Sequence, residues 1–281
     1  MSKTWFVTGA GRGIGAAVVK AALAAGDRVV ATARDSGKLQ AVFNAGSDQF
    51  ITAQLDVTDP RQAEAAVRAA TDRFGAIGVL VNNAGYGQLG VFEEHEPEQA
   101  EKQFATNVFG ILNVTRAVLP VMRQQRAGRI FNISSIAGVR GGQGGTLYSA
   151  SKFAVEGFSE SLALEVAQFG IAVTLIEPGY FRTDFLDDSS VEHGRKTISD
   201  YSNYSAALRA ALLAKNHQQP GDPAKLADVI VQLAAHDNPP LRFAAGTDAV
   251  EAIATKLEAL RAEFDQWRDL SITTDASGLT S

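Results

Sequence analysis

The fold is decided by the stretch Thr8-Gly9-Ala10-Gly11-Arg12-Gly13-Ile14-Gly15, which joins an apolar run to a helical pattern. The apolar run covers residues 5–8, and the helical pattern extends over about residues 13–25. Glycines at such a junction let the backbone turn tightly and approach a pyrophosphate, whose charge is stabilised by the N-terminus of the helix. No Gly-Lys-Ser/Thr sequence follows, which excludes the phosphate-binding loop of nucleoside triphosphatases. The strand-turn-helix order therefore predicts a dinucleotide-binding unit.

Apolar runs alternate with helical patterns along most of the chain. After the first unit, the apolar runs cover residues 28–33, 49–55, 77–81, 129–133, 171–176 and 241–244. The longer helical patterns cover about residues 60–74, 97–123, 147–169, 222–235 and 247–269. The apolar runs are almost continuous in Val, Ile, Leu and Phe, as expected for strands that are covered on both faces. The alternation predicts an α/β fold with a doubly wound parallel β-sheet of about seven strands flanked by helices.

The length of 281 residues suits one large domain, and we predict a single dinucleotide-binding domain over residues 1–281. Residues 179–221 are irregular, with a short helical patch near residues 204–215, and they follow a strong apolar run. Because ligands bind beyond the carboxyl ends of the strands in such sheets, we predict that this segment is a substrate lid. The alternative is a surface loop without a role in binding. Residues 247–269 predict an extra, amphipathic C-terminal helix.

The composition excludes several classes of protein. The formal net charge of −5 argues against a nucleic-acid-binding surface and against a polybasic membrane patch. The absence of cysteine excludes disulfides, thiol nucleophiles and thiolate metal sites, and the four histidines do not have the spacing of metal ligands. Because the sequence contains neither a signal-peptide core nor a run of about 18 apolar residues, we expect a cytoplasmic protein that does not span a membrane.

Tyr148 and Lys152 are four residues apart within a helical pattern, so both side chains leave the same face of the helix. A phenol titrates near ~10 in water and is a poor proton donor or acceptor at neutral pH. An ammonium group one turn away favours the phenolate, and we therefore expect Lys152 to lower the pKa of Tyr148. Ser135, which follows the apolar run 128–134, supplies a second hydroxyl. Two hydroxyl donors aimed at one oxygen would stabilise the negative charge that grows there during hydride transfer to a carbonyl.

The end of the second predicted strand bears on which dinucleotide binds. An acidic residue there would bond the adenosine ribose and favour NAD. Here the strand ends in Arg34, followed by Asp35, and Arg12 in the glycine-rich turn offers a second cation. Two guanidinium groups that converge on a 2′-phosphate predict a preference for NADP(H). Asp35 leaves NAD(H) possible, and the alternative interpretation is two solvated surface arginines.

These residues together resemble the short-chain dehydrogenase/reductase family, with a match over residues 3 to about 245. The motifs that carry the resemblance are Thr8-Gly9-x3-Gly13-x-Gly15, Asp56, Asn82-Asn83-Ala84-Gly85, Asn107, Ser135, Tyr148-x3-Lys152 and Pro178-Gly179-x3-Thr183. The resemblance implies a Rossmann-type subunit, an NAD(P)(H) cofactor and the interconversion of a carbonyl and an alcohol. It also implies assembly into homodimers or homotetramers, often through the helices predicted at 97–123 and 147–169. The extra C-terminal helix departs from the compact members of the family and makes their usual tetramer contacts at this edge doubtful.

The resemblance also assigns roles to the catalytic residues. Tyr148 would be the general acid in reduction and the general base in oxidation, and Lys152 would lower its pKa and bind the nicotinamide ribose. Ser135 would hold and polarise the substrate carbonyl, with Ser134 as a weaker candidate. Asn107 would fix a water molecule that links Lys152 to bulk solvent.

The resemblance further implies a set of cofactor-binding residues. In order along the chain they are Gly9, Arg12, Gly13, Ile14, Gly15, Arg34, Asp56, Val57, Asn83, Ala84, Gly85, Tyr148, Lys152, Pro178, Gly179 and Thr183. Asp56 and Val57 would border the adenine, and Thr183 would reach the nicotinamide carboxamide. For residues 82–85 and for Asp56, an ordinary turn at a strand end is an equally good explanation.

Aromatic and aliphatic residues of the predicted lid would form an apolar wall beside the nicotinamide and favour a hydrophobic ketone or alcohol as substrate. They are Phe181, Phe185, Leu186 and Tyr201, and ordinary packing of the lid would explain them almost as well. The hypothesis from these residues is an NADP(H)-dependent oxidoreductase. Its alternatives are a catalytically silent NAD(P)-binding sensor or scaffold, an NAD-preferring dehydrogenase, and an epimerase or dehydratase built on the same nucleotide-binding fold.

Overall fold

The computed structural model describes residues 2–43 and 48–276, and a parallel β-sheet lies at its centre. The strands in chain order are β1 (Thr4–Val7), β2 (Arg28–Ala33), β3 (Phe50–Gln54), β4 (Val79–Asn82), β5 (Gly87–Leu89), β6 (Gly128–Ile133), β7 (Ile171–Pro178), β8 (Val191–His193) and β9 (Arg242–Ala245). Seven of them form the large sheet in the order β3-β2-β1-β4-β6-β7-β9, with every pair parallel. The predicted doubly wound sheet is confirmed.

Helices cover both faces of the large sheet. They are α1 (Gly13–Ala24), α2 (Ser36–Phe43), α3 (Pro60–Phe74), α4 (Pro97–Phe104), α5 (Gly110–Gln125), α6 (Thr146–Val166), α7 (Ser202–Lys215), α8 (Pro223–Ala235) and α9 (Thr247–Ile272). Helices α1 and α8 pack with Trp5 and Val7 on one face, whereas α3, α5 and α6 pack with Phe6 on the other. Successive side chains of a strand point alternately to the two cores, so a strand that is apolar at nearly every position is buried along its whole length.

Local signals in the sequence account for several helix boundaries. Asp59 caps α3, because its carboxylate accepts a hydrogen bond from the backbone N–H of Arg61 at 2.8 Å, and proline occupies the first helical position. Gly75 ends the same helix at φ 75°, a left-handed conformation that glycine adopts without steric cost. These bounds agree with the predicted helix over residues 60–74.

The helix predicted over residues 97–123 is interrupted. Between α4 and α5, residues Ala105–Phe109 form one π-helical turn, whose wider hydrogen-bond loop adds a residue to the turn. Asn107 lies in this turn and is buried. The prediction of one regular helix is therefore wrong at the position that carries a predicted site residue.

The continuous helical segment Pro97–Gln125 is long and apolar enough to cross a membrane, with a mean hydropathy of 1.3 in its most apolar window. In this fold the segment packs onto the sheet through Val114, Val118 and Met122, which are completely buried. It is a core helix of the domain, and core helices commonly pass a test of length and hydropathy.

The segment predicted as a lid is more ordered than its sequence suggests. Strand β8 pairs with β5 in a small parallel sheet, with Gly87 opposite Val191 and Leu89 opposite His193. The side-chain amide of Gln99 donates a hydrogen bond to the backbone oxygen of His193 at 2.8 Å and fixes β8 to α4. The second half of the lid contains α7, which agrees with the predicted helical patch.

Candidate active site

A cavity of about 1070 Å³ lies at the carboxyl ends of the central strands and is lined in part by residues 179–221, the segment predicted to be a lid and named the lid below. Most predicted site residues line it: Gly9, Arg12, Gly13, Ile14, Arg34, Asp56, Val57, Asn83, Ala84, Gly85, Ser135, Tyr148, Lys152, Pro178, Gly179 and Thr183. Gly15 and Asn107 do not belong to its lining. The cavity therefore connects the glycine-rich turn with the Ser-Tyr-Lys set.

The glycine-rich turn requires glycine at two positions. Gly9 and Gly13 have φ values of 63° and 56°, in the left-handed region that other residues rarely adopt. A Cβ atom on Gly9 would also lie 2.9 Å from the Cα of Ala84, which is closer than real contacts allow. These conformations let the backbone of the turn face the cavity, as a cradle for a pyrophosphate requires.

Gly15 has a packing role instead of a position on the cavity wall. A Cβ atom on Gly15 would lie 2.4 Å from the side-chain nitrogen of Asn83 and 2.5 Å from the oxygen of Gly9. Glycine at this position lets the first turn of α1 approach the end of β4. Gly15 therefore supports the turn by close packing, and its predicted role in cofactor binding stays a prediction.

A hydrogen-bond cluster at the end of β4 fixes the shape of the turn. The hydroxyl of Thr8 accepts hydrogen bonds from the backbone N–H groups of Asn83 and Ala84 at 3.0 and 3.1 Å. The side-chain amide of Asn83 donates to the backbone oxygens of Thr8 and Gly9, both at 3.0 Å. The side chains of Thr8 and Asn83 therefore hold the turn and the end of β4 together. This structural role of Thr8 was not predicted from the sequence.

Asp56 is part of a turn that leads into α3. Its Oδ1 atom accepts hydrogen bonds from the backbone N–H of Thr58 at 2.9 Å and from the hydroxyl of Thr58 at 2.7 Å. This geometry matches the ordinary turn named as an alternative, although Asp56 and Val57 still line the cavity.

The two arginines predicted to select the cofactor differ in their surroundings. The guanidinium of Arg12 donates to the hydroxyl of Ser189 in the lid at 2.7 Å and to the backbone oxygen of the same residue at 2.8 Å. Arg34 is exposed on the wall of the cavity, beside Asp35. The lid also approaches the turn at Gly13, where a Cβ atom would lie 3.4 Å from Thr183. A phosphate bound by Arg12 would therefore compete with Ser189.

Tyr148 and Ser135 lie together at the inner end of the cavity. Ser135 follows β6 directly, and its hydroxyl accepts a hydrogen bond from the backbone N–H of Ala137 at 3.1 Å. Burial raises the pKa of Tyr148 to about 12, and the hydrogen bond between the Ser135 and Tyr148 hydroxyls acts in the opposite direction. The pKa of Tyr148 therefore lies above its ordinary value, and not below it as expected, because desolvation of the phenolate dominates.

Lys152 is directed at the backbone rather than at the phenol. Its ammonium donates a hydrogen bond to the backbone oxygen of Ile133 at 2.7 Å and lies 5.7 Å from the centroid of the Tyr148 ring. Only 6% of the residue is exposed, and burial lowers the pKa of Lys152 to about 8. The two groups are close enough to interact, but they share no direct hydrogen bond in the described structure.

Asn107 does not belong to the cavity lining, and its side chain bonds other parts of the protein. Its Oδ1 accepts from the backbone N–H of Tyr86 at 3.1 Å, and its Nδ2 donates to the oxygen of Tyr86 at 2.9 Å. A longer bond of 3.3 Å joins Nδ2 to the hydroxyl of Ser151 on α6. The side chain thus links the π-helical turn, the segment after β4 and the helix that carries Tyr148.

Comparison with known proteins agrees with this geometry. The sequence profile of the family described as short chain dehydrogenase matches residues 3–207. The chain belongs to this family. An oxidoreductase of Botryotinia fuckeliana, named BOA17, is 39% identical over 274 residues, which cover 97% of this chain and 99% of that protein. The chain is thus an NAD(P)-dependent enzyme of the short-chain dehydrogenase family.

Solved structures of short-chain dehydrogenases share the whole architecture. A crystal structure from Streptomyces avermitilis has a TM-score of 0.90 and 40% identity, and it covers 98% of this chain and 100% of its own. A structure of ElxO with NADP bound has a TM-score of 0.70 at 28% identity and covers 85% of this chain and 94% of its own. A Burkholderia phymatum family member in complex with NAD shares the fold, with a TM-score of 0.78 at 24% identity and coverage of 100% and 98%. Two of these relatives hold a nicotinamide dinucleotide, and the cavity of this chain contains the glycine-rich turn that a pyrophosphate requires.

Behind Lys152, this short-chain dehydrogenase buries a cluster of carboxylates that the sequence analysis missed. Glu156 lies one turn further along α6, and its carboxylate accepts a hydrogen bond from the hydroxyl of Ser134. Arg242 Nε lies 3.3 Å from Glu156 and 3.4 Å from Glu177, and Arg242 Nη1 lies 2.8 Å from Glu160. Burial and the nearby Glu156 carboxylate raise the pKa of Glu177 to about 7. Residues 148, 152, 156 and 160 are four apart and therefore lie on one face of α6. This spacing is the sequence signal that would have indicated Glu156 and Glu160.

The lid contributes an apolar wall near Tyr148. The ring of Phe185 packs against the ring of Tyr148, with centroids 5.5 Å apart, and Phe181 and Leu186 also line the cavity. Tyr201, predicted to join them, does not belong to the lining. Tyr86 also belongs to the lining, and its hydroxyl is buried without a hydrogen-bond partner among the described residues. The inner end of the cavity is thus apolar with a small number of hydroxyl groups.

Proposed function

We propose that this enzyme is an NADP(H)-dependent oxidoreductase that interconverts a carbonyl and a secondary alcohol, with Tyr148 as the general acid and base. The observation that supports it most directly is the convergence of Ser135, Tyr148 and Lys152 on the inner end of a cavity that starts at the glycine-rich turn. A protein that only sensed the dinucleotide would have no need of two hydroxyl donors and a buried ammonium at that place.

The chain's own residues account for the proton chemistry of reduction. The hydroxyls of Ser135 and Tyr148 donate hydrogen bonds to the substrate oxygen and stabilise the negative charge that develops on it. Tyr148 then transfers its proton to this oxygen. The bound nicotinamide supplies the hydride in reduction and accepts it in oxidation. Positioned acid-base assistance of this kind is worth about 10²–10⁴-fold in rate.

Near neutral pH the protonation states are those with which reduction begins. With a pKa of about 12, Tyr148 carries the proton that the substrate oxygen receives as negative charge develops on it. Lys152, with a pKa of about 8, is mostly charged at neutral pH and stabilises the phenolate left after the transfer. Its hydrogen bond to Ile133 fixes the ammonium close to the ring.

We propose NADP(H) as the preferred cofactor because the adenosine end of the cavity presents Arg34 and Arg12. A guanidinium binds a 2′-phosphate through charge-assisted hydrogen bonds that a ribose hydroxyl does not match. Asp35 at the same end keeps NAD(H) as the second candidate. The remaining cofactor-binding roles of the residues in the cavity wall stay part of this proposal.

The lining supports a hydrophobic ketone or alcohol as the substrate. Phe181, Phe185 and Leu186 provide apolar surface beside Tyr148. Tyr86 and Ser149 belong to the same lining, and their hydroxyls are buried without a hydrogen-bond partner among the described residues. A buried hydroxyl without a partner is costly, which favours a ligand that bonds it.

We further propose a cytoplasmic homodimer or homotetramer. The helices named by the resemblance expose large apolar side chains, with Phe109 57% exposed beside α5, and Phe153 46% and Leu164 83% exposed on α6. Large apolar side chains with this much exposed surface favour burial against another subunit. The absence of cysteine suits a reducing compartment.

A substrate screen with Tyr148→Phe as reference tests the proposal. Ketones, aldehydes and alcohols are tested with NADPH, NADH and the oxidised forms, and turnover is followed by the absorbance of the reduced nicotinamide. We expect Tyr148→Phe to bind the cofactor normally and to lose about 10²–10⁴-fold of the activity. Tyr204→Phe, an exposed tyrosine outside the cavity, is the matched control and should retain activity.

Each rival has its own outcome in this screen. Normal cofactor binding without turnover of any compound by the wild type would favour the sensor. Product formation that leaves the cofactor in its original redox state would favour an epimerase or dehydratase. Full activity of Tyr148→Phe would refute the role of the phenol.

A further inference from the structure

Helix α9 extends from the body of the enzyme into solvent. Its first turns contact the end of β9, and Ala249 is buried there. From Leu257 to Ile272, every residue is exposed. At 1.5 Å per residue, the 26 residues of α9 span about 39 Å. An isolated helix gains most of its stability from the packing of an apolar face, so a helix this exposed lacks its usual support.

Leu270 and Ile272, at the C-terminal end of α9, lie outside a regular pattern, but the large apolar residues up to Trp267 follow a strict heptad. They are Val250, Ile253, Leu257, Leu260, Phe264 and Trp267, separated alternately by three and four residues. Ile253 is partly buried, and the other five side chains have 44–60% of their surface exposed. Alternating steps of three and four residues place all six in one seam, which is the sequence signature of a coiled coil. The seam therefore requires a second helix of similar length.

We propose that α9 pairs with α9 of a second copy of this chain as an antiparallel two-helix coiled coil. A two-fold axis between Glu258 and Ala259 matches the two seams without a gap. It pairs Val250 with Trp267 of the other copy, Ile253 with Phe264, and Leu257 with Leu260. Each outer layer then combines a small side chain with a large one, as close packing of a core requires.

The charges beside the seam agree with the antiparallel arrangement. In that register Lys256 of one copy flanks Glu263 of the other, and the two-fold axis forms this attractive pair twice. In a parallel pair, Lys256 would instead face Arg261, a contact between like charges. A parallel pair would also bring both enzyme bodies to the same end, whereas the antiparallel pair places them at opposite ends.

The length and size of the contact fit a second copy. The axis lies close to the middle of Thr247–Ile272, so the tip of each helix ends where the partner helix leaves its own body. The pair buries four aromatic rings, each worth roughly 150–250 Å² when completely covered, together with eight aliphatic side chains. Because about half of each surface is already covered, the total is roughly 1,000 Å², the lower end of specific interfaces.

The charge of α9 argues against a membrane surface as the occupant. The helix carries the acidic residues Asp248, Glu251, Glu258, Glu263, Asp265 and Asp269 but only the basic residues Lys256, Arg261 and Arg268. Helices that lie in the membrane interface are usually rich in lysine and arginine on their polar face. An acidic helix with a coiled-coil seam is better suited to another helix.

The first test is the mass in solution, measured by light scattering after gel filtration. Leu257→Glu/Leu260→Glu puts four carboxylates into the central layers, and we expect the mass to fall to half of the wild-type value. Halving is expected whether the wild type is a dimer or a larger assembly built from this pair. Thr255→Glu/Ala262→Glu adds the same charges on the opposite face and should keep the wild-type mass. Circular dichroism and cofactor binding check that both variants fold.

The second test fixes the direction of the helices. The natural chain has no cysteine, so introduced cysteines are the only thiols. After subunit exchange under mild oxidation, a mixture of Leu257→Cys and Leu260→Cys should form a covalent dimer, whereas each variant alone should form little. A parallel pair would cross-link each variant with itself, because identical positions would then face each other.

The proposal is overturned if the wild type has a mass of 29.7 kDa at all concentrations, or if the double glutamate variant keeps the wild-type mass. Self-cross-linking of the single cysteine variants would also overturn it. Flotation of the wild type with vesicles of phosphatidylcholine and phosphatidylglycerol, abolished by the glutamates, would identify the seam as a membrane-binding face instead. None of these results depends on the substrate or on turnover.

Discussion

Glu156 lies one helical turn beyond Lys152 on α6, and its buried carboxylate raises the pKa of that lysine against the effect of burial. Without this carboxylate, desolvation would act alone and disfavour the ammonium. Glu156 is held in place by the hydroxyl of Ser134 and by Arg242. It does not touch the substrate space, so it acts as a positioning residue through Lys152.

Glu156→Gln should therefore lower the pKa of Lys152 below its value of about 8. The glutamine keeps an oxygen for Ser134 but removes the negative charge. At a pH above the new pKa, each unit of decrease costs roughly tenfold in the charged fraction of Lys152. As the pH is raised, kcat/KM of the variant should therefore begin to fall at a lower pH than kcat/KM of the wild type. Glu160→Gln, an exposed neighbour of Arg242, is the control, and superimposable profiles of Glu156→Gln and wild type would contradict the expectation.

Glu177→Gln tests the cost of burying the second carboxylate. The pKa of Glu177 is raised from 4.5 to about 7, so the folded protein binds its proton more tightly than the unfolded chain. Its contribution to stability is present below about pH 4.5 and is lost as the pH rises through about 7. Above pH 7 the variant should gain at most about 3 kcal/mol relative to wild type, less the loss of the contact with Arg242. Urea unfolding at pH 5 and pH 8 measures the difference, which should be larger at the higher pH.

Arg34→Asp should reverse the preference for the phosphorylated cofactor. A charge-assisted hydrogen bond is worth about 1.5–3 kcal/mol, so its loss should reduce the ratio of NADPH to NADH affinity by roughly 10–100-fold. Arg61→Asp makes the same change of charge on an exposed residue outside the cavity and should leave the ratio unchanged. Titration of both cofactors against each variant gives the ratio directly. An unchanged ratio in Arg34→Asp would leave the preference without support.

Gly15→Ala should destabilise the turn, because the new methyl group would lie 2.4 Å from the side-chain nitrogen of Asn83. Relief of such a contact costs about 1–3 kcal/mol and should also weaken cofactor binding, since Asn83 holds the turn. The control is Gly157→Ala on α6, where a Cβ atom meets nothing within 4 Å. This substitution should stabilise the protein by about 0.5–1 kcal/mol through the helix propensity of alanine. Urea unfolding measures both, and equal effects of the two substitutions would count against the packing role of Gly15.

The sheet and its helices could be predicted because their signals are local. Runs that are apolar on both faces predicted the seven parallel strands, and the helical pattern over residues 60–74 predicted α3 with its observed bounds. The pairing of β5 with β8 could not be read in the same way. Both strands are three residues long, and their contact joins segments about a hundred residues apart, which no local period reveals.

The residues of the site could be predicted better than their surroundings. The motifs led to Ser135, Tyr148 and Lys152, which line one cavity. The spacing of four residues did not reveal that the lysine bonds Ile133, nor that burial raises the pKa of Tyr148. Both effects depend on desolvation, which is set by elements distant in sequence. The π-helical turn at Asn107 also has no residue-type signal, because it differs from an α-helix only in its hydrogen-bond partners.

The hydrogen bonds from Arg12 to Ser189 join the glycine-rich turn to the lid. Strand β8 anchors the lid to β5 just after Ser189, so this part of the lid cannot swing away as one flap. The stretch between the end of β7 and Ser189 is bonded to α9 through Tyr180 and to the segment before α8 through Arg182. It meets the glycine-rich turn at Gly13 and through the guanidinium of Arg12. A dinucleotide phosphate that binds Arg12 would take the place of Ser189. The same guanidinium would thus serve two partners in turn, a residue of the protein before the cofactor binds and the cofactor afterwards.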